Sequence, residues 1–449
     1  MSTSYLPFPQ TFQWGTATSS YQVEGNLKNN DWWAAEEEGG YIFENQRAGQ
    51  ACDWWNRAEE DFDRMAEMHQ NAHRLSIEWS RIEPRPGVWD EYALARYREM
   101  LVGLRQRGID PMVTLHHFTN PLWLAEQGGW ENENVVPLFE RYVRKVVAAL
   151  GDLATLWCTI NEPGVMVAHT YALGRWAPGK KDLNAALRAG INVLRAHAAA
   201  YHAIRELQPH GQIGLAHHMI VWQPYRWWAI SDMVATNLVR HMFQDLILMT
   251  AVWGTMRIPG RRSILMPEVR NTLDWIGLNY YQRYRVRVSL LPGRGKSLVR
   301  QETKPGMQTG PGEWGEIHPQ GMFDTLRTLW KRYQIPLFIT ENGIPDETDA
   351  NRPNFIITHL HQLWEAIRHG IPVKGYYFWS LVDNFEWTEG YDPRFRFGLI
   401  GVDFETQERH IRPSGRLYSE ICRTGGILRD TVEQYTPQVI PQIFRAKAS

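Results

Sequence analysis

The chain has 449 residues, of which 43% are hydrophobic, and its 48 basic residues nearly balance its 49 acidic ones. This balance provides no electrostatic footprint for nucleic acid or for an anionic membrane, so it favours a small neutral partner. Three widely spaced cysteines, Cys52, Cys158 and Cys422, predict neither a disulfide framework nor a zinc motif and fit a reducing compartment. Because the first residues lack the pattern of a secretory signal, we expect a cytoplasmic protein. The oligomeric state, homo-oligomer or monomer, stays open.

Eight short strand patterns alternate with helical stretches along the chain. They cover Phe12–Ala17, Ala72–Ile77, Asp110–His116, Leu156–Ile160, Gln212–His217, Trp275–Tyr280, Pro336–Thr340 and Val373–Trp379. Eight is the number of strands in a closed barrel whose strands are each followed by a helix. The sequence therefore predicts an α/β fold, a single (β/α)8 TIM barrel with elaborated βα loops, and one catalytic domain over residues 1–449.

Helical periodicity is clear after the second predicted strand, where Asp90 can cap a helix that ends near Gly108. The stretch Met233–Val252 is apolar, but Arg240, His241 and Asp245 interrupt it. We therefore expect a buried or amphipathic helix there rather than a transmembrane one.

A long irregular zone covers residues 289–315 and is rich in glycine, proline and charge. Loops of this length in a compact barrel are often lids over the active site. This one leads to Trp314, a candidate wall for the far side of a substrate.

Two predicted strands end in a glutamate. Pro336–Thr340 runs into Glu341 just before the turn residues Asn342 and Gly343, and Leu156–Ile160 runs into Asn161 and Glu162. In a barrel of this type the active site lies at the carboxyl ends of the strands. The arrangement predicts a pair of carboxylates facing one bound substrate.

The other strand ends carry amides, an arginine, histidines and aromatic rings, a set suited to holding a polyhydroxylated ring. The candidates are Gln22, Arg74, His116, His117, Asn279, Tyr281, Trp379, Glu386 and Trp387. The chain also has 21 tryptophans, and indole faces stack on the apolar faces of sugar rings. These residues favour a carbohydrate substrate.

Paired histidines could instead indicate a metal site. Strand residues that share one face alternate, whereas His116 and His117 are adjacent, as are His217 and His218. At most one of each pair is expected to point inward, so we predict neither a metal site nor a cofactor. The acidic run 36–38, three glutamates, is interpreted as solvated surface.

Six motifs in chain order resemble those of the retaining β-glycosidases of glycoside hydrolase family one. They are Ser20–Gly25 (SYQVEG), Arg74–Ile82 (RLSIEWSRI), Thr159–Pro163 (TINEP), Gly277–Tyr281 (GLNYY), Ile339–Gly343 (ITENG) and Trp379–Trp387 (WSLVDNFEW). The matches extend from Phe12 to the region of Tyr418. The resemblance implies a barrel enzyme that hydrolyses β-glycosides without a cofactor.

The resemblance also implies residue roles. Glu341 matches the nucleophile and Glu162 the general acid/base, while Arg74, Tyr281 and Asn279 match the groups around the nucleophile. The matches to sugar-binding residues are Asn161 for the 2-hydroxyl, Gln22, His117, Glu386 and Trp387 for other hydroxyls, Trp379 for the ring platform, and Trp314 for the aglycone side.

The chain departs from the family pattern after the third strand. Relatives usually have Trp and then Asp after the histidine, whereas this chain has Phe118, Thr119 and Asn120 after His117, so the ring is kept but the indole donor to the sugar is lost. Relatives that cleave 6-phosphorylated sugars carry a serine and basic residues near the position of Glu386 and Trp387. A carboxylate there predicts unphosphorylated substrates.

Retention of configuration needs two carboxyl groups about 5 to 5.5 Å apart with different charge states. If Arg74 keeps Glu341 ionised, repulsion on the order of 3 kcal/mol is expected to raise the pKa of Glu162 to about 6. Two alternatives remain: a transglycosylating β-glycosidase with the same residues, and a non-catalytic sugar-binding barrel. The glycone preference among gluco, galacto, fuco and manno sugars is left open.

Overall fold

The computed structural model describes residues 4–289 and 298–444, and at its centre eight parallel strands close into a barrel. The strands are β1 (Gln13–Ala17), β2 (Ala72–Ser76), β3 (Asp110–Thr114), β4 (Leu156–Asn161), β5 (Gln212–Pro224), β6 (Trp275–Val288), β7 (Leu337–Asn342) and β8 (Val373–Trp379). Each strand pairs with the next, β8 pairs with β1, and every one of these pairings is parallel. The predicted (β/α)8 barrel is confirmed.

The strand ends differ from the prediction in ways that matter for the site. β3 stops at Thr114, before the two histidines, and β7 extends to Asn342, so Glu341 lies inside the strand opposite Asn279 of β6. β5 and β6 continue well past the barrel, to Pro224 and Val288, and stay paired there. The β6 extension does carry a period-two pattern, because Arg283, Arg285 and Arg287 alternate with Tyr284, Val286 and Val288; the predicted strand ended at Tyr280 and left this pattern unused.

Helices surround the barrel. The longer ones are α1 (Trp54–Glu67), α2 (Glu91–Gln106), α3 (Val135–Leu150), α4 (Leu183–Leu207), α5 (Ile230–Arg240), α6 (Leu246–Trp253), α7 (Gln320–Tyr333), α8 (Arg352–Arg368) and α9 (Pro413–Thr424). As predicted, Asp90 caps α2, because its carboxylate accepts the backbone N–H of Ala93 at 2.9 Å. None of the described helices is long and apolar enough to cross a membrane.

Shorter elements fill the connections. Short helices are Ser20–Val23, Asp31–Glu38, Trp79–Ile82, Leu122–Glu126, Pro163–Val167, Arg429–Tyr435 and Ile440–Ile443. Short antiparallel pairs are Tyr5–Pro7 with Gly426–Leu428, Thr255–Met256 with Ile264–Leu265, and Ile400–Val402 with Arg409–Ile411. The first of these pairs joins the two ends of the described chain.

Two predictions about connections need correction. The zone 289–315 is not wholly irregular, because Val299–Glu302 forms a strand that pairs antiparallel with the end of β6; residues 290–297 lie outside the described part. The apolar stretch 233–252 forms the end of α5, a π-helical turn and α6. The α6 part is mostly buried, as expected, whereas α5 exposes a largely apolar outer face.

Two apolar layers hold the barrel. The outer layer lies between strands and helices, and the inner one fills the barrel with large side chains such as Met112, Trp275, Phe338 and Tyr377. Arg74 of β2 lies above this inner layer and is only 1% exposed. A buried guanidinium requires partners, and it finds them at the carboxyl ends of the strands.

Candidate active site

The Glu341 carboxylate is held by two donors. Arg74 Nη1 donates to Oε1 at 2.5 Å, and Tyr281 Oη donates to Oε2 at 2.6 Å. Arg74 comes from β2 and Tyr281 from β6, so strands on opposite sides of the barrel fix both oxygens of a side chain that is 4% exposed. Hydrogen bonds from a cation and a hydroxyl favour the ionised carboxyl.

Glu162 follows directly after β4. It has a φ of 43°, in the left-handed region that non-glycine residues seldom adopt, and Phe118 and Trp387 at the same end of the barrel also have positive φ. Asn279 Nδ2 donates to Glu162 Oε1 at 2.8 Å. His218 Nδ1, from β5, lies 3.3 Å from the same oxygen, close enough for an ion pair when the ring is protonated.

One polar network connects the two carboxylates. Arg74 Nη2 donates to Asn161 Oδ1 at 2.6 Å, and Asn279 Nδ2 lies 3.2 Å from that same oxygen. Thr340 Oγ1 in turn donates to Asn279 Oδ1 at 2.6 Å, which sets the orientation of the amide. Because Arg74 touches one carboxylate and Asn279 the other, both acids face one small region at the barrel mouth.

The electrostatics of the two acids differ from the expectation. Burial raises the pKa of Glu341 to about 7 and the nearby Glu162 charge adds to the shift, although Arg74 and Tyr281 act in the opposite direction. Burial also raises the pKa of Glu162, but His218 and Asn279 outweigh it, so this pKa lies below its usual value. Burial therefore raises the pKa of Glu341, whereas the sequence predicted a raised pKa for Glu162. His218 was absent from that prediction because it is far from Glu162 along the chain.

A second polar cluster lies at the end of β8. Gln22 Nε2 lies 2.9 Å from Asn384 Oδ1 and 3.2 Å from Glu386 Oε2. Burial raises the pKa of Glu386 well above its usual range, and the charge of Glu341 raises it further. Asn384 was absent from the candidates, although it lies within the eighth-strand motif.

Aromatic rings form the wall beside this cluster. The His117 ring stacks on Trp379 and on Trp387, each with ring centroids 5.9 Å apart. His117 Nε2 lies 3.1 Å from Asn161 Nδ2, and its buried Nδ1 finds no partner in the described part of the chain. The unpaired nitrogen is suited to a sugar hydroxyl. Phe118 keeps the ring at this position, 5.1 Å from Trp387.

Two tryptophans of this wall were not predicted. Trp32 lies 4.6 Å from Trp387 between ring centroids, and Trp176 lies 4.8 Å from Phe118. Their only signal in the sequence was the abundance of tryptophan. Trp314, which was predicted, packs edge-on against Tyr281 at 5.7 Å and against Phe397 at 5.4 Å. It therefore borders the site next to Tyr281, the residue that donates to Glu341.

The remaining histidines support the expectation of separate orientations. His117 faces the site, while His116 points away and contacts Asn120 at 3.0 Å through Nε2. His217 contacts the carbonyl of Gln244, whereas its neighbour His218 faces Glu162. Among the described residues, no group of three or more potential metal ligands is assembled.

One prediction for an acidic residue is wrong. Glu37 and Glu38 are exposed, but Glu36 is buried, where it accepts Tyr21 Oη at 2.6 Å and the Ala48 N–H at 2.9 Å. Tyr21 stacks on Trp387 with ring centroids 6.0 Å apart. Glu36 therefore supports the aromatic wall from behind rather than forming solvated surface.

Comparison with known proteins agrees with this geometry. Residues 4–427 match the model of glycosyl hydrolase family 1. Beta-glucosidase A of Thermotoga maritima is 33% identical over 94% of this chain and 98% of its own, and a beta-galactosidase of Sulfolobus acidocaldarius is 31% identical over 94% and 96%. A solved beta-glycosidase from Pyrococcus horikoshii superposes with a TM-score of 0.88 at 36% identity, over 96% of this chain and 98% of that one. Since both fold and sequence match over nearly the whole length, the chain belongs to glycosyl hydrolase family 1.

Proposed function

We propose that this enzyme hydrolyses terminal, unphosphorylated β-D-glucosides, and related galacto- and fuco-configured glycosides, with retention of configuration. The observation that carries the proposal is the shared network in which Arg74 holds Glu341 and Asn161 while Asn279 holds Glu162. The similarity to a beta-glucosidase and a beta-galactosidase supports this range of sugars. Soluble oligosaccharides, including those released from cellulose, belong to the same substrate class.

Glu341 acts as the nucleophile in this proposal. Its carboxylate attacks the anomeric carbon, the glycosidic C–O bond breaks, and Glu162 transfers a proton to the departing oxygen. The glycosyl ester on Glu341 is then attacked by water, which loses a proton to Glu162 and releases the carboxylate. Arg74 and Tyr281 favour the ionised nucleophile and orient it.

Glu162 must carry a proton when the first bond breaks. His218 Nδ1 lies 3.3 Å from Glu162 Oε1 and so contacts the oxygen that carries this proton. When Glu341 becomes a neutral ester, its repulsion on Glu162 disappears. Glu162 then has the charge state of a general base for the second step.

The residues at the ends of β1, β3, β4 and β8 bind the glycone. Asn161 faces the 2-hydroxyl, and Trp379 forms the platform under the ring. Gln22, His117, Glu386 and Trp387 take the remaining hydroxyls, and Trp314 borders the aglycone. Glu386 has Gln22 as a hydrogen-bond partner instead of the cations that a phosphate requires, which supports unphosphorylated substrates.

The proposal also covers the cellular location and the domain organisation of the protein. All three cysteines are free and buried, which supports a cytoplasmic location. The pairing of Tyr5–Pro7 with Gly426–Leu428 across the barrel supports one catalytic domain over the whole chain.

The test uses Glu341→Gln and Glu162→Gln with two kinds of substrate. Glu341→Gln should abolish turnover of every glucoside, because no nucleophile remains. Glu162→Gln should abolish cleavage of a disaccharide but keep release of 2,4-dinitrophenol from its glucoside, since that leaving group needs no proton. The matched control is Glu302→Gln, a half-buried glutamate outside the site.

Parental disaccharide turnover in both site variants would refute the assignment. Comparing free glucose with released phenol, with and without an added sugar acceptor, separates hydrolysis from transglycosylation. A panel of aryl glycosides that differ only in the sugar measures the glycone preference.

A further inference from the structure

An unusual apolar surface lies on the outside of α5, in the turn before it and in the π-helical turn after it. We call it the α5 face and define it by seven exposed side chains: Trp227, Trp228, Ile230, Met233, Val234, Leu238 and Met242. Trp227 and Ile230 are 76% and 77% exposed. With their exposed fractions, the two indoles alone present on the order of 300 Å² of surface. A face of this size marks an interaction site more often than a chance exposure.

Helical spacing makes the α5 face continuous. Ile230, Val234, Leu238 and Met242 follow one another at intervals of four, so they form a single stripe along the helix. The opposite side of α5 is buried through Asp232, Ala235 and Thr236. The helix is therefore packed on the barrel with its apolar stripe outward.

Asp232 fixes this orientation. Its carboxylate accepts Arg226 Nε at 2.9 Å and Arg226 Nη2 at 2.8 Å, and it also accepts the Val288 N–H at 3.0 Å. The buried Asp232 thus connects Arg226, which directly precedes the Trp227–Trp228 turn, to Val288 at the end of β6. These bonds hold the turn against the extension of β5 and β6. The exposed indoles are thus presented by a rigid support.

The charge around the α5 face is positive. Residues 226–262 contain five arginines and two aspartates, a difference of +3, and both aspartates are buried. Arg240 and Arg257 are exposed, and the Arg257 carbonyl contacts His241 Nε2 at 2.7 Å, which places this turn beside the end of the stripe. The near-zero net charge of the whole chain averages over this local excess.

We propose that the α5 face docks on an anionic lipid bilayer surface. Tryptophans at the edge of an apolar helix face, with arginines at its border, match the boundary between acyl chains and negatively charged headgroups. A second copy of the chain is a poorer occupant, because a two-fold contact would bring the same arginines of both copies together. The inference concerns peripheral binding and is independent of the proposed glycosidase chemistry.

Flotation of the full-length enzyme with extruded vesicles tests the proposal. Protein should float with vesicles of phosphatidylcholine and phosphatidylserine at 3:1, bind less to phosphatidylcholine alone, and lose binding at high salt. The double variant Trp227→Ser, Trp228→Ser should lower partitioning about tenfold or more, and Leu238→Glu should lower it independently. Hydrolysis of an aryl glucoside should stay unchanged in both variants, which shows that they fold.

Tyr92→Ser is the matched control, since Tyr92 is 72% exposed on α2, away from the α5 face, and its loss should not change flotation. Failure of the wild type to float with either vesicle, or equal flotation of wild type and double variant, would overturn the proposal. Light scattering could instead show that the wild type is a dimer, that the double variant is a monomer, and that neither binds vesicles. That result would also overturn the proposal, because it would assign the α5 face to contact with a second copy of the chain.

Discussion

Replacing Tyr281 by phenylalanine removes one hydrogen bond from the proposed nucleophile and changes almost nothing else. The hydroxyl donates to Glu341 Oε2 at 2.6 Å inside a buried site. A hydrogen bond to a charged group contributes about 1.5 to 3 kcal/mol, and one pKa unit corresponds to about 1.4 kcal/mol. The variant should therefore raise the pKa of Glu341, already at about 7, by about one to two units.

The sign of the effect on activity follows from the role of the ionised form. Glu341 must be a carboxylate to attack, so activity falls as pH decreases through its pKa. In Tyr281→Phe this acid limb of kcat/KM should move to higher pH by about one to two units, with activity at neutral pH reduced on the order of tenfold or more. The assay is hydrolysis of an aryl glucoside at constant ionic strength across the pH range.

Tyr280→Phe serves as the matched control. Tyr280 is the preceding residue of β6 and is equally buried, but its hydroxyl donates to the His318 carbonyl on the outside of the barrel. The Tyr280→Phe variant should therefore leave the acid limb of kcat/KM at the parental pH. An acid limb in Tyr281→Phe that coincides with the parental one would refute the argument that this hydroxyl stabilises the Glu341 anion.

Three further variants examine other parts of the account. His218→Asn removes the imidazole that lowers the pKa of Glu162, so the alkaline limb of disaccharide hydrolysis should move to higher pH; an unmoved limb contradicts this role. Glu386→Gln keeps the side-chain volume but replaces a carboxylate by an amide as the partner of the sugar hydroxyls, so it should lower kcat/KM for glucosides at least tenfold; unchanged kcat/KM would remove Glu386 from the glycone site. Arg412→Met breaks a buried pair in which both guanidinium Nη atoms donate to Asp383 at 2.8 and 2.6 Å, so the free energy of unfolding measured with denaturant should fall by about 3 to 5 kcal/mol; a loss below 1 kcal/mol would contradict it.

The barrel could be predicted because each of its strands is recognisable from a few consecutive residues. A strand buried on both faces has a short apolar run, and its end is marked by a polar or turn residue, so Glu341 and Glu162 stood out at the ends of β7 and β4. The rule that parallel strands present their carboxyl ends together then places both glutamates at one mouth. The network around Arg74 agrees with that placement.

Features that depend on contacts between distant segments could not be predicted. His218 approaches Glu162 from another strand, and its charge lowers the pKa of Glu162, which the sequence predicted to be raised. Glu36 resembled surface within its acidic run, yet Tyr21 and the backbone of Ala48 make it a buried acceptor. The sequence predicted a buried or amphipathic helix in the stretch from Met233 to Val252, but the direction in which the apolar side of α5 faces is decided by the packing of Asp232.

Labelling of the nucleophile tests the central claim most directly. A 2-deoxy-2-fluoro-glucoside with a good leaving group forms the glycosyl-enzyme faster than water removes it, so the intermediate accumulates for mass analysis. The account predicts one sugar per chain, attached to the peptide that contains Glu341, and no label in Glu341→Gln. A label on Glu162 or on another residue, or release of the leaving group without any covalent sugar, would contradict it.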